Sequence, residues 1–380
     1  MPEQRLDYLI IGPVAPFRGG IAETQYELAT HLQMSGKKVQ LLTFSKLYPK
    51  ILFPGKNQKT KEKQQRSLKI SESIHAYNPL QWTKVVREIN QLNPRNLIFR
   101  YYTPFLAPVY GWLAKKTASQ INKIALVDNW IPHERRALDR ILNRFFGKQM
   151  QAFTTLSTAV ATQIKIDFKQ AVWEGFHPIN TQLLLPISKL EARKRLGWNQ
   201  QQTTVLFFGL IRQYKGLELL IQSFTDKALD SHNTVLKIVG ECYENQKKYT
   251  DLVSQLGLED TVSFDFEYKS LSDIQTLFSA CDLVAQTYHT ATQSGVTPLA
   301  YFYNKPLVVS DIDGLNAPIK KDKTGVCVQK TPKAIAEGII KLLDHNKYQK
   351  AKDNLKKSLP NYQWKVWVEQ WSDFIENLYA

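Results

Sequence analysis

The sequence predicts an α/β protein made of two doubly wound domains. Short runs of β-branched and other apolar residues alternate with longer segments of helical period, the pattern of βα units around parallel sheets. This alternation occurs twice along the 380 residues, a length that favours two or three domains at roughly 150 residues each. With 43% apolar residues, each domain can form a core, so disordered, collagen-like and mini-protein classes are excluded.

The predicted elements alternate in the same way in both halves of the chain. Each predicted strand is a short apolar run, and each predicted helix has apolar residues three or four positions apart. In the first half the strands are predicted at 6–11, 38–43, 96–101 and 123–127, and the helices at 22–33, 81–92, 104–118 and 135–146. In the second half the strands are predicted at 204–208, 235–239, 282–285 and 306–309, and the helices at 217–224, 245–256, 272–280 and 333–344.

A domain boundary is predicted between residues 177 and 199, where the strand signal lapses and Pro178 and Pro186 interrupt the chain. We therefore assign 1–185 to a first domain and 186–360 to a second. Residues 361–380 form a separate final segment, predicted to be a helix that packs back toward the first domain. Its aromatic and apolar residues are spaced by 3, 4, 3 and 4 positions and line one wide face, for which a partner or membrane surface is the alternative. These residues are Trp364, Trp367, Trp371, Phe374 and Leu378.

The charge is concentrated in the first half of the chain. Lys and Arg number 50 against 34 Asp and Glu, a net charge of +16. Residues 1–200 hold 30 of the basic and 13 of the acidic residues, and residues 46–69 alone hold eight basic residues and one Glu. We interpret 46–69 as a basic loop that is either simply solvated or contacts anionic lipid headgroups or a phosphorylated substrate. A nucleic-acid partner is disfavoured because no recognition motif accompanies the charge.

The chain has no feature of an exported, membrane-spanning or metal-clustered protein. Its three cysteines, Cys242, Cys281 and Cys327, are odd in number and lack CxxC spacing. No HxH or HxxxH pair suggests a metal site, and the Asp311–Asp313 pair follows a predicted buried strand, so no metal or other cofactor is expected. The apolar run at 104–114 is too short to span a membrane. We expect a cytoplasmic protein, at most peripheral on the inner face of the plasma membrane.

A glycine-containing loop follows the first predicted strand. The sequence GPVAPFRGG ends in Gly19 and Gly20 just before a helix, where backbone N–H groups can approach an anion and the helix end adds partial positive charge. The loop lacks the GxGxxG spacing of dinucleotide-binding proteins, which disfavours a nicotinamide dehydrogenase. The alternative is that glycine serves only the turn.

The second domain opens with a comparable strand and loop, VLFFGLIRQYKG, in which the strand ends at Gly209 and is followed by Arg212 and Lys215. Two cations after the first strand of an α/β domain lie at the carboxyl edge of the sheet, where such folds bind ligands. Cations there suit a diphosphate leaving group, because they stabilise the negative charge that grows as its bond breaks. The alternative is a solvated basic pair.

These segments resemble GT-B glycosyltransferases of the large retaining family 4, the glycosyl transferases group 1. The likeness is carried by PVAPFRGGIAETQYELATHL, by FFGLIRQYKGLELLIQSF and by HTATQSGVTPLAYFYNKPLVVSDIDGL, and it runs from Tyr8 to about Gly325. The resemblance implies two Rossmann-like domains facing a central cleft, with a nucleotide sugar held mainly by the second domain and an acceptor by the first.

The resemblance also implies roles for single residues. Arg212 and Lys215 would clamp the diphosphate, with the backbone of Gly19 and Gly20 approaching from the other side. Gly295 and Val296 would offer backbone N–H groups at a helix start, and Glu241 would meet the nucleoside unless it is only a surface carboxylate. Many relatives have a histidine near the reacting sugar; here the candidates are Asp128 and His133, each with a structural alternative, a helix or loop cap and a hydrogen bond.

One departure concerns the donor segment. Relatives carry two glutamates there, and the corresponding positions are Ala291 or Thr292 and Leu299 or Ala300. Polar contacts would fall to Thr292, Gln293, Ser294 and Thr297, whose uncharged hydrogen bonds are weaker than those of a carboxylate.

The implied function is retaining, metal-independent transfer of a hexose from a nucleoside diphosphate sugar to a glycan or lipid-linked acceptor in cell-surface polysaccharide or glycolipid synthesis. The alternative is a non-catalytic GT-B-like subunit or glycan-binding scaffold.

Overall fold

The computed structural model describes residues 5–17, 19–49, 68–131 and 138–379, and within them the chain divides into two compact units. Unit 1 comprises Met1–Phe176 and Trp364–Ala380, and unit 2 comprises His177–Gln363. The sequence places this division nearer residue 185. The structure places it earlier because Ile179 is buried in the core of unit 2 and donates its backbone N–H to the carbonyl of Tyr362.

Unit 1 is built on a seven-stranded sheet whose recorded strand pairs are all parallel. The strand order is β3-β2-β1-β4-β5-β6-β7. The strands are β1 Tyr8–Ile11, β2 Val39–Lys46, β3 Lys69–His75, β4 Asn96–Tyr101, β5 Asn122–Val127, β6 Ala152–Thr155 and β7 Ala171–Glu174. The helices are α1 Gly20–Met34, α2 Pro79–Leu92, α3 Ala107–Lys116, α4 Asp139–Gly147 and α5 Thr158–Asp167, with a 3-10 turn at Pro104–Leu106 before α3.

Both faces of this sheet are covered, which explains the continuous apolar strands. All four residues of β1 are buried. Tyr8 and Ile10 belong to one apolar cluster together with α1, whereas Leu9 and Ile11 belong to a second cluster with α2 and α3. Successive side chains of a strand point to opposite faces, so α1 lies on one face and α2 and α3 lie on the other.

Unit 2 is built on a six-stranded sheet of order β10-β9-β8-β11-β12-β13, again with parallel pairs. The strands are β8 Thr203–Phe208, β9 Thr234–Val239, β10 Val262–Asp265, β11 Leu283–Gln286, β12 Leu307–Ser310 and β13 Gly325–Val328. The helices are α6 Lys189–Leu196, α7 Leu217–Ser223, α8 Lys247–Leu256, α9 Leu271–Ala280, α10 Val296–Phe302, α11 Asp313–Asp322, α12 Pro332–Leu343 and α13 His345–Ser358.

Each unit is a Rossmann-like α/β domain, since its first six strands follow the order 3-2-1-4-5-6. The fold class predicted from the sequence is confirmed. The strands that sequence reasoning missed are β3, β6, β7, β10 and β13. All but β6 are edge strands, which are covered less completely than central strands. β3 reads KISESIH and has one buried residue, and β13, although apolar, is only four residues long. The predicted helix at 104–118 is a 3-10 turn followed by α3, with Pro108 in the first turn of α3.

The last helix, α14 Trp364–Asn377, belongs to unit 1. The rings of Trp364, Trp367 and Trp371 are buried, and they lie in the apolar cluster that contains α1. Trp367 donates its indole N–H to the carbonyl of Phe176 over 3.0 Å, and Trp371 packs 5.4 Å from the ring of Tyr8. The aromatic face therefore covers the sheet of the first unit, from which the helix is distant in sequence.

Among the helices of the described ranges, none is both long enough and apolar enough to cross a bilayer.

Candidate functional site

The candidate site of unit 2 lies at the carboxyl ends of β8 and β11. These neighbouring strands are where the strand order changes direction, and open α/β sheets bind ligands in the crevice at that point. Two loops meet there. One follows β8 and contains residues 209–216, and the other follows β11 and contains residues 287–295.

The first loop depends on two glycines in conformations that other residues rarely adopt. Gly209 has φ +102° and Gly240, which follows β9, has φ +142°. A Cβ added to Gly240 would lie 2.2 Å from the carbonyl oxygen of Gly209. Beyond this contact the loops continue side by side, with a bridge between Ile211 and Cys242. The close approach of the two loops is thus possible only with glycine.

Gly240→Ala is expected to destabilise the protein by about 3 kcal/mol, because it combines backbone strain with a backbone clash. Gly257→Ala is the matched control, since Gly257 also has positive φ but no neighbour within 4 Å. It should cost about 1 kcal/mol. Urea unfolding of both variants measures the difference, and equal losses would contradict the close-approach argument.

Lys215 is the central charged group of the first loop. Its side chain is 7% exposed, and its Nζ lies 5.1 Å from the centre of the Tyr288 ring. A Cβ added to Gly209 would be 3.2 Å from this Nζ, so the ammonium lies close to the backbone at the end of β8. The structure records no ion pair for it among the described residues. Burial lowers the pKa of Lys215, and the positive charge of Arg212 lowers it further.

Arg212 lies three residues before Lys215 and is partly exposed. Its guanidinium carbon lies 5.0 Å from the centre of the Tyr243 ring. No carboxylate of the described ranges pairs with this guanidinium. Two cations at a sheet edge that lack anionic partners form a site suited to a phosphate-bearing ligand.

The second loop is folded by its own hydroxyl groups and by close packing against α11. The hydroxyls of Tyr288 and Ser294 are 3.4 Å apart, and Ser294 Oγ also accepts the backbone N–H of Val296 over 3.2 Å. A Cβ on Gly314, in the first turn of α11, would lie 2.1 Å from the carbonyl of Ala291. The backbone of the loop is therefore held in place before any ligand binds.

The remaining predicted residues of this loop lie at the same sheet edge. Thr292 is buried, and the Oε1 of Gln293 is buried with no hydrogen-bond partner in the described chain. Gly295 directly precedes α10, which begins at Val296 as predicted, and the Val296 N–H is occupied by Ser294. Of the two positions predicted to replace the second glutamate, Ala300 is fully buried and Leu299 is partly buried.

Sequence reasoning missed Gln286, the last residue of β11. Its side chain is fully buried, its Oε1 accepts a hydrogen bond from the Thr297 hydroxyl over 3.2 Å, and its Nε2 has no partner within the described ranges. An amide N–H group at the end of a buried strand, close to the second loop, can bind a ligand oxygen. The available signal was a polar residue closing the apolar strand LVAQ.

A second missed pair is His289 and Glu218, whose Nε2 and Oε1 are 2.5 Å apart. The backbone N–H of His289 also donates to the carbonyl of Tyr214 over 2.7 Å. The side-chain pair joins the second loop to the first turn of α7, 71 residues away in the chain, and the backbone bond to Tyr214 joins the two loops.

Glu241 is exposed, and the hydroxyl of Tyr243 donates to its carboxylate over 3.3 Å. Asp311 follows β12 and accepts from Lys320 and Asn316. The described residues contain no group of three or more His, Cys, Asp and Glu side chains that could hold a metal ion.

The predicted residues of unit 1 are placed as follows. Gly19 and Gly20 are exposed at the start of α1, and Gly19 has φ +112°. Asp128 follows β5 and is 3% exposed, and both of its carboxylate oxygens accept hydrogen bonds from Arg100, over 2.5 and 2.6 Å. This buried ion pair favours a structural role for Asp128. His133 lies outside the described residues.

The two Rossmann-like domains define the fold class as GT-B, and comparison with solved structures shows the same class. Sucrose-phosphate synthase from Thermosynechococcus elongatus matches with a TM-score of 0.77 over 99% of this chain and 100% of that chain, at 16% identity. The Anabaena protein HepE, solved in complex with UDP and glucose, matches with a TM-score of 0.73 over 98% of this chain and 100% of that one, also at 16% identity.

Comparison with protein families also indicates a glycosyltransferase domain in unit 2. Residues 188–358, all within unit 2, match the family Glycosyl transferases group 1. An uncharacterized glycosyltransferase of Methanocaldococcus jannaschii is 28% identical over 180 residues, 47% of this chain and 45% of the relative. The D-inositol 3-phosphate glycosyltransferase of Stackebrandtia nassauensis is 24% identical over 159 residues, 40% of this chain and 36% of the relative. The matches thus span less than half the length of these curated relatives.

Proposed function

We propose that the protein is a retaining glycosyltransferase that moves a hexose from a nucleoside diphosphate sugar to a hydroxyl of a glycan or lipid-linked acceptor in cell-surface polysaccharide or glycolipid synthesis, without a metal ion. The observation that carries this proposal is the buried ammonium of Lys215 at the carboxyl edge of the sheet in unit 2, for which the described residues supply no ion pair. A buried charge without a partner costs several kcal/mol, a cost that binding of an anionic ligand offsets. The match of residues 188–358 to a glycosyltransferase family supports the reaction class.

The proposed chemistry is stabilisation of the leaving diphosphate. As the bond to the sugar breaks, negative charge grows on the departing phosphate, and cations already in place stabilise it without rearrangement. Lys215 acts from a site of low polarity, where a charge interaction is stronger than in water, and Arg212 offers a planar donor from the loop surface.

Neutral side chains hold the sugar and ribose in this proposal. Thr292, Gln293 and Gln286 supply hydroxyl and amide groups near the positions where relatives carry carboxylates. Neutral hydrogen bonds are about half as strong as charge-assisted ones. We therefore expect a donor affinity that depends on the diphosphate more than on the sugar.

Donor binding should take up protons and weaken at alkaline pH. Burial holds the pKa of Lys215 below the ordinary lysine value, and a bound diphosphate raises it, so binding takes up a proton where the pH is near or above the lowered pKa of the free site. Affinity for the nucleoside diphosphate should fall as pH rises through the lowered pKa of the free site, before an ordinary lysine would lose its proton.

Isothermal titration in buffers of different ionisation enthalpy measures this proton uptake. The panel is UDP-, GDP- and ADP-sugars, beginning with UDP-glucose because the Anabaena structure was solved with UDP and glucose. The absence of binding to all three would contradict the proposal. Binding without turnover on any acceptor would favour the alternative, a non-catalytic GT-B-like subunit or glycan-binding scaffold. The absence of a carboxylate at Leu299 and Ala300 is the observation that favours this alternative.

The proposed contact with a membrane-bound acceptor is based on the positive charge of residues 46–69. Residues 46–69 hold eight basic residues, and they are proposed to attach the protein peripherally to an anionic membrane that carries a lipid-linked acceptor. Lys46 ends β2 and Lys69 begins β3, so the segment connects two neighbouring strands of unit 1. Its residues 50–67 lie outside the described part of the chain.

A further inference from the structure

Helix α4 exposes an apolar face that packing within unit 1 does not explain. Leu138, which directly precedes the helix, is 63% exposed, Ile141 is 64% exposed and Phe145 is 38% exposed. Their spacing of three and four positions places them on one face of the helix. The opposite face carries Asn143 and Phe146, which are buried. Three large apolar side chains side by side in water are typical of an interaction surface.

Basic side chains border this apolar face. Arg140 and Arg144 are exposed on the next face of the helix, and Lys148 follows its last turn. Both arginines contact the carboxylate of Asp167, at 3.2 and 3.0 Å. One carboxylate neutralises one of two guanidinium charges, and Lys148 has no ion pair among the described residues. The border of the apolar face therefore keeps a positive charge.

The neighbouring helix α3 extends the same surface. A Cβ added to Gly111 of α3 would lie 2.4 Å from the ring of Phe145, so the ring lies directly against the backbone of α3. Pro108 and Lys115 lie one turn to either side of Gly111 and are both exposed. They place a further apolar group and a further cation beside Phe145.

We infer that this α4 surface, formed by Leu138, Ile141, Phe145, Arg140, Arg144, Lys148 and Lys115, docks onto an anionic lipid bilayer. The apolar side chains would enter the boundary between headgroups and acyl chains, while the long basic side chains reach the lipid phosphates. A second copy of the chain fits less well, because a two-fold contact would bring two positively charged borders together.

A bilayer bound at the α4 surface would bring a lipid-linked acceptor to unit 1, and in this respect the inference rests on the proposed function. It is independent of residues 46–69 and of the transfer chemistry. Binding to vesicles can be measured with no donor and no acceptor present.

Cosedimentation with vesicles of phosphatidylcholine, with and without phosphatidylglycerol, tests it. The variant Leu138→Ser/Ile141→Ser is expected to bind the anionic vesicles at least about tenfold less tightly than the unsubstituted protein, since each side chain loses its apolar transfer into lipid. Met34→Ser is the matched control: Met34 is 75% exposed but ends α1, which packs on the other face of the sheet. It should bind as the unsubstituted protein does.

A charge variant separates the two contributions. Lys115→Glu/Lys148→Glu should weaken binding at low salt, with a difference that shrinks at high salt, whereas the serine variant should be weak at both. Equal vesicle binding by the serine variant and the unsubstituted protein would overturn the inference. So would light scattering that shows a dimer converted to a monomer by the serine substitutions.

The two proposals fail separately. Substitutions at these exposed positions should leave the melting temperature and the affinity for the nucleotide sugar unchanged. A variant that loses vesicle binding but still binds the nucleotide sugar would therefore show that the α4 surface binds the membrane. Vesicle binding by a protein that binds no nucleotide sugar would refute the proposed function and leave the α4 surface supported.

Discussion

Replacing Lys215 by methionine is expected to lower kcat at least about 100-fold, the loss typical of removing a group that stabilises transition-state charge. Methionine keeps most of the volume of the side chain and contacts the Tyr288 ring without a charge. KM should change less than kcat, because the charge on the leaving phosphate is greatest in the transition state. Steady-state kinetics with the donor found by titration measures both constants.

Lys237→Met is the control for this substitution. Lys237 lies in the same unit, over the ring of Trp198 at 5.6 Å, and burial also lowers its pKa. It lies within β9 rather than at the carboxyl edge of the sheet. Its replacement should leave kcat unchanged within about twofold. Unchanged turnover in Lys215→Met would refute the assignment of Lys215.

The same Lys215→Met substitution should stabilise the protein without ligand. Removing a buried charge that has no partner is expected to raise the free energy of unfolding by about 1–4 kcal/mol. Because the folded-state pKa of Lys215 is lowered, the unfolded chain binds the proton more tightly, and the charge destabilises the fold fully below that pKa. The stability gain should shrink as pH rises toward the ordinary lysine pKa of about 10.4. A melting temperature below that of the unsubstituted protein at neutral pH would contradict this account.

Arg100→Met is expected to cost about 3–5 kcal/mol of stability, because it leaves Asp128 as a buried carboxylate without its partner. The two side chains are 2% and 3% exposed and share two hydrogen bonds. Arg100 also donates to the Thr24 hydroxyl over 3.1 Å, so the loss includes a contact to α1. Urea unfolding of the single variant measures the cost.

The double variant Arg100→Met/Asp128→Leu separates a structural role of Asp128 from a catalytic one. Replacing the whole ion pair by apolar groups should restore most of the lost stability, and a structural Asp128 predicts kcat within about tenfold of the unsubstituted protein. A stable double variant with a far lower kcat would show that Asp128 acts on the substrates, as the resemblance to family 4 first suggested.

Much of the fold follows from local sequence patterns. The central strands β1 and β8 contain the unbroken apolar runs YLII and VLFF because both faces of each sheet are covered, and a run of that kind is visible in the sequence alone. The aromatic face of α14 and the loop that carries Arg212 and Lys215 were also predictable, because each depends only on the spacing of residues along a short segment. Edge strands such as β10 were not, since their pattern depends on which side the tertiary structure leaves in water.

The sequence by itself determined the two α/β domains, the position of the two cations after β8 and the surplus of charge in the first half of the chain. The tertiary structure alone decided that Lys215 is buried against Tyr288, that Asp128 is paired with Arg100 and that one face of α4 is exposed. It also decided that Gln286 Nε2 has no hydrogen-bond partner among the described residues. The physical reason is the separation in sequence of the residues involved. Helix and strand patterns depend on residues that are close along the chain, whereas burial and ion pairing depend on residues that are far apart in it. Arg100 and Asp128 are 28 residues apart, and no local period marks one as the partner of the other.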